Sequence, residues 1–110
     1  MKDKTVLDMY LEDIKNIKAI SEEEEKTLLA DYLNGDDIAK NRLIEGYMMY
    51  AATLVKPFLS KGEEAIDLIS ESHLALTVAV NSYKYGDLKL QIKETVEKRL
   101  NEILKDKIQM

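Results

Sequence analysis

The apolar positions of this chain recur three and four residues apart almost from end to end, the period at which one face of an α-helix meets a core. Over residues 6–17, Leu7, Tyr10, Leu11 and Ile14 keep that spacing and predict a short first helix. Ser21-Glu22-Glu23-Glu24 then has the form of a capping box, in which the serine oxygen accepts a backbone N–H and the glutamate three residues on reaches back. A second helix starts there, with Leu28, Leu29, Tyr32 and Leu33 inward. Asn34-Gly35 supplies a left-handed stop, and Asp36 or Asp37 caps the next helix.

A third helix begins near Ile38, keeps Leu43, Tyr47, Ala51, Leu54, Val55 and Phe58 on one face, and ends at Gly62. Pro57 lies inside that pattern and lacks a backbone donor, so a kink or a break is predicted over residues 53–58. A fourth helix over residues 64–82 aligns Ile66, Ile69, His73, Leu76, Val80 and Tyr83. Tyr85-Gly86-Asp87 makes a turn, and the last helix, from Leu88, carries Ile92, Val96, Leu100, Ile103, Leu104 and Ile108 as one stripe. No strand pattern competes. The expected fold is all-α: a compact five-helix domain spanning residues 1–110, with one kinked helix and a long C-terminal helix. The final stripe, if unmatched by the rest of the domain, would pair between chains.

Composition narrows the classes. A chain of 110 residues, 45% apolar, with one proline and four glycines, has material for one modest core. The absence of cysteine excludes a disulfide framework, a thiolate metal site and a cysteine nucleophile, and fits a cytoplasmic address. No apolar run approaches the length needed to cross a bilayer, so no membrane partner is expected. The net charge of −5 is uneven, with nine basic and sixteen acidic residues in positions 1–80 against seven and five in positions 81–110. An acidic surface repels phosphate at long range, which disfavours strong sequence-blind binding to nucleic acid and favours a basic protein partner.

Catalytic chemistry is not expected. There is one histidine, no glycine-rich phosphate loop and no nucleophile paired with a base, so neither a catalytic residue, a cofactor nor a small-molecule substrate is implied. Glu22 to Glu25 are consecutive and point around the helix axis, which makes a solvated first turn of them, not a metal site. His73 falls on an apolar stripe and reads as a hydrogen-bonded core or boundary residue. Met48-Met49-Tyr50 reads as core packing with one outward methionine.

The fourth helix differs in kind. Asp67, Ser70, Glu71, Leu74 and Thr77 or Val78 share one face that begins acidic and turns apolar within two turns. A partner helix carrying arginines and apolar residues would match it, charges steering encounter and the apolar centre supplying affinity. Packing of Leu74 and Val78 on the last helix would give the same pattern, and periodicity leaves both open.

Asp8-Met9-Tyr10-Leu11-Glu12-Asp13-Ile14, Ser21-Glu22-Glu23-Glu24, Asn34-Gly35-Asp36, Arg42-Leu43-Ile44-Glu45 and Asp67-Leu68-Ile69-Ser70-Glu71 resemble, in order and near the usual spacing, the successive signatures of the sigma-70 family of bacterial RNA polymerase sigma factors. The resemblance covers residues 6–85 and implies a domain corresponding to sigma regions 1.2 and 2. Its fourth helix would dock on the clamp-helix coiled coil of the largest subunit of core RNA polymerase. Asp67 and Glu71 match the acidic contact positions, Ser70 replaces the usual glutamine, His73 the usual asparagine and Met49 a typical arginine. The implied polymerase contacts are Asp67, Ser70, Glu71, Leu74 and Thr77.

After Tyr85 the pattern departs. A complete sigma factor has there an aromatic, basic helix that captures flipped bases of the minus-ten promoter element. Residues 88–110 contain no aromatic residue, and aliphatic Ile92, Val96 and Leu100 cannot stack a base. Lys89, Lys93, Lys98 and Arg99 alternate with Glu94, Glu97 and Glu102 in a pattern of surface pairing. The reading expected from sequence is therefore a polymerase-binding protein whose promoter reading is weakened or supplied by a second DNA-reading protein. Two alternatives stand beside it. One is a minimal sigma factor touching promoter DNA through Tyr83, Lys84, Tyr85, Lys89, Lys93 and Arg99. The other is a helical interaction module unrelated to transcription.

Overall fold

A computed structural model describes residues 6–61 and 65–108. It contains α1 (Val6–Lys15), α2 (Glu22–Leu33), α3 (Asp37–Gly46), α4 (Met48–Thr53), a 3-10 helix (Lys56–Lys61), α5 (Ala65–Ser82) and α6 (Leu88–Ile108), and no strand among the described residues. The fold is all-α, as the periodicity predicts. The expected helix end at Gly62 lies outside the described residues, as do the side chains of Leu7, Tyr10 and Ile108.

Helix starts follow their caps. Ser21 Oγ accepts the Glu24 N–H at 3.1 Å and opens α2. The Glu24 carboxylate reaches not back to the cap but across to α3, where Arg42 Nε lies 3.3 Å from it. The guanidinium brings a charge of its own to the carboxylate, which a backbone N–H does not, and the reciprocal arm of the box is given up for it. Gly35, at φ +99°, turns the chain, and Asp36 Oδ1 accepts the N–H groups of Ile38 at 2.9 Å and Ala39 at 3.2 Å to open α3. Of the two aspartates, Asp36 is the cap.

The third predicted helix is divided into three pieces. One break comes where proline requires it: α4 ends at Thr53 and Pro57 sits in the 3-10 turn. The other falls at Tyr47, whose φ of −101° and ψ of 2° leave the helical region and whose N–H is shared between the Leu43 and Ile44 carbonyls. Ile20 packs onto Gly46, in the space a β-carbon there would take. Beside it, the Tyr47 hydroxyl donates to the Glu25 carboxylate, and burial together with that carboxylate pushes the phenol pKa above its ordinary value.

The core is centred on α5 and α6, joined by a turn in which Gly86 takes φ +95°. Leu68, Leu76 and Val80 of α5 meet Leu88, Ile92, Val96 and Leu100 of α6, with Leu43, Ala51 and Val55 closing one side. Each such leucine, isoleucine or valine contributes about 1.5–3 kcal/mol by leaving water. From Ile92 to Leu104 the stripe of α6 is thus matched inside the molecule, at Ile92, Val96, Leu100 and Leu104. At 43 × 39 × 19 Å the molecule is about two helix diameters thick, so α5 and α6 each keep an outer face.

Candidate docking face

Two opposed faces of α5 are set by helical geometry. Leu68, Ile69, Ser72, Ala75, Leu76, Ala79 and Val80 are buried, while Asp67, Ser70, Leu74 and Val78 are exposed. Ser72, fully buried, donates its hydroxyl to the Ile69 carbonyl at 2.7 Å, so a polar residue sits in the core without an unmet bond. It lies outside the apolar stripe drawn from sequence, because a small hydroxyl gives periodicity no signal.

Leu74 and Val78 are 63% and 55% exposed, although the last helix runs alongside. They flank a groove of about 360 Å³ walled by Glu71, Leu74, Ala75 and Val78 of α5 and by Thr95, Lys98, Arg99 and Glu102 of α6. The question left open by periodicity is decided: these two side chains do not pack into the α5–α6 interface. Of the other expected contact residues, Asp67 and Ser70 are exposed on the same helix and Glu71 is half-buried. Thr77 is half-buried and does not line the groove, its hydroxyl donating to the His73 carbonyl at 3.1 Å, whereas Val78, the other residue expected at that end of the face, does.

Arg99 joins this face. Its Nε lies 3.1 Å from Glu71 Oε2 and its Nη1 3.8 Å from Glu102. Sequence reasoning placed Arg99 with the possible DNA contacts, because pairing between helices leaves no short-range spacing to read.

The remaining possible DNA contacts do not converge. Tyr83, considered for base stacking, is buried at 8% exposure and donates its hydroxyl to the Gly86 carbonyl at 2.8 Å, fastening the α5–α6 turn. Its ring belongs to the core. The Lys89 ammonium lies 4.8 Å from the centroid of the Tyr50 ring, and Lys93 pairs with Glu97 at 3.8 Å. Lys84 and Tyr85 stay exposed, Tyr85 at 83%.

His73 is half-buried, with Nε2 3.3 Å from the Met48 carbonyl. Burial lowers its pKa below the ordinary value, opposed by that bond to the backbone. Met48 and Met49 are both half-buried, Met48 against the core and Met49 over a cavity of about 560 Å³ shared by α1, α4 and α5. Among the described residues no three His, Asp or Glu side chains are placed to hold a metal ion, and no helix is long and apolar enough to cross a membrane.

No family model matches the chain. It is 31% identical over 78 residues to the RNA polymerase sigma factor SigA of a Bacillus species. The relationship is sigma-70-like at the level of the family. The match takes in 71% of this chain, which spans about a fifth (21%) of the length of that relative.

Proposed function

We propose that this sigma-70-like protein acts in transcription initiation or its regulation by binding core RNA polymerase through the outer face of α5. Asp67, Ser70 and Glu71 supply the acidic end of the contact and Leu74 the apolar centre, with Thr77 at its edge. The partner element is the clamp-helix coiled coil of the largest subunit. The observation that carries the reading is the exposure of Leu74 and Val78, one and two turns beyond Glu71, on a helix whose opposite face is fully used by the core. A solvated face has no need of two large apolar side chains at its centre. An arginine-bearing helix would gain steering from the acids and affinity from covering the leucine and valine.

Promoter reading falls to another chain, or is weak. Of the two tyrosines available for stacking, Tyr83 is buried, and Lys93 and Arg99 are engaged with carboxylates. Titration of core RNA polymerase with the protein, with an ordinary sigma factor as competitor, tests the proposal. Glu71→Lys should lower affinity by about 2–5 kcal/mol, Asp67→Lys should weaken binding by slowing association, and the competitor should displace the wild type. Wild-type binding that neither variant changes would remove α5 as the docking element. Measurable DNA affinity that falls steeply with salt would favour the DNA-contacting alternative instead.

A further inference from the structure

We propose that Arg99 is an internal occupant of the α5–α6 groove, which holds Glu71 in the free protein and must yield it to an arginine of the incoming helix; this rests on the docking reading above. Three features of the groove carry the inference. Arg99 reaches from α6 to Glu71 on α5, Nε to Oε2 at 3.1 Å, so the guanidinium sits where a partner's arginine would seek the same carboxylate. A bidentate grip on Glu71 needs both oxygens, and one of them is taken.

The pair is also easily opened. The side chains of Arg99 and Glu71 are 46% and 31% exposed, and an ion pair so accessible to water adds little to stability. Glu102, 3.8 Å from Arg99 Nη1, remains beside the guanidinium once Glu71 is given up. Released Arg99 is therefore not left facing an apolar wall, and the change amounts to a side-chain rotation on the surface of α6.

The third feature is the charge of the rim. With Arg99 in place the groove walls balance Glu71 and Glu102 against Lys98 and Arg99, leaving Leu74 and Val78 between compensated charges. A neutral amphipathic helix gains only the apolar cover. An arginine-bearing helix gains the cover and Glu71, less the work of displacing Arg99. Arg99 thus sets how basic a helix must be to dock, and it acts as a specificity residue on a wall of the groove that the acidic motif of α5 does not contain.

The test is a set of equilibrium titrations of core RNA polymerase with the full chain as wild type, Arg99→Gln, Glu71→Gln and the double variant, with Arg99→Met as a second neutral replacement. Both Arg99 variants should bind tighter than wild type, by up to about fivefold. The gain should vanish in the Glu71→Gln background, because nothing remains there to be released. Affinity unchanged or weakened by both Arg99 replacements would overturn the proposal, as would a gain that survives loss of Glu71. Wild-type binding that Asp67→Lys abolishes, with Arg99→Gln neutral, leaves the docking reading standing and removes only the role of Arg99. If neither wild type nor Arg99→Gln binds polymerase, both fail.

Discussion

The Tyr32 hydroxyl donates a 2.7 Å hydrogen bond to the Val80 carbonyl and so ties α2 to the last turn of α5. Val80 is among the final residues of its helix, whose carbonyls have no intrahelical partner of the regular kind; the Tyr83 N–H also donates to it, at 3.2 Å. No residue of α2 is fully buried, so this bond joins the half-buried Leu28, Leu29 and Tyr32, the Glu24–Arg42 pair and the Glu25–Tyr47 bond in holding the helix to the rest of the fold. Tyr32→Phe keeps the ring and deletes the donor. It should cost about 0.5–1.5 kcal/mol, read as a lower urea midpoint with an unchanged slope. An unaltered midpoint would mean that water replaces the hydroxyl without loss.

Gly46 is required by contact and not by its backbone angle. A β-carbon there would fall on Cδ1 and Cγ1 of the half-buried Ile20, whose side chain must turn aside to admit it. Gly46→Ala should therefore destabilise by about 1–3 kcal/mol despite the better helix propensity of alanine. In an Ile20→Ala background the same change should cost much less, and the non-additivity of the two is the measurement that identifies the clash. Equal costs in both backgrounds would place the strain elsewhere.

His73 makes stability depend on pH in a defined direction. Burial is the main cause of its lowered pKa, with the backbone bond to Met48 opposing. The unfolded chain, whose histidine titrates near the ordinary value of about 6.5, binds the proton more readily than the folded one. The contribution of neutral His73 is complete above that value and is lost as pH falls through the lower folded-state pKa. Urea midpoints between pH 7.5 and 5 should fall for the wild type more than for His73→Asn. Since the chain has one histidine, parallel curves for the two proteins would exclude it as the source.

How much of this was legible in the sequence depended on whether the cause lay nearby along the chain. Ser21 and Asp36 cap the helices they were expected to cap, Gly86 makes the expected turn, and the α6 stripe lies inward at Ile92, Val96, Leu100 and Leu104, because each of these signals acts within one or two turns. The break at Tyr47 was hidden, since Leu43, Tyr47 and Ala51 keep helical register across it, and so was the crowding of Gly46 by a side chain from the connection before α2. The exposed apolar patch on α5 could be anticipated because Leu74 and Val78 are apolar on the side of the helix opposite its core stripe. The partner that Glu71 finds in Arg99, 28 residues on, could not, since it follows from how two helices pack.

Exposure and affinity should separate at Leu74. With 63% of its surface in water, Leu74→Asp should shift the unfolding midpoint by no more than about 0.5 kcal/mol, whereas Leu76→Ala, which empties a fully buried site one helical step round, should cost about 2–5 kcal/mol. If α5 docks on polymerase as proposed, the order reverses: Leu74→Asp would place a charge at the apolar centre of the contact and should raise the dissociation rate tenfold or more, about 1.4 kcal/mol or above. Asp67→Lys should act differently, slowing association and reducing its dependence on salt, because it alters steering more than burial. A Leu74→Asp protein that binds polymerase as the wild type does would overturn the proposal that this face of α5 makes the contact. One that unfolds as readily as Leu76→Ala would show that Leu74 belongs to the core.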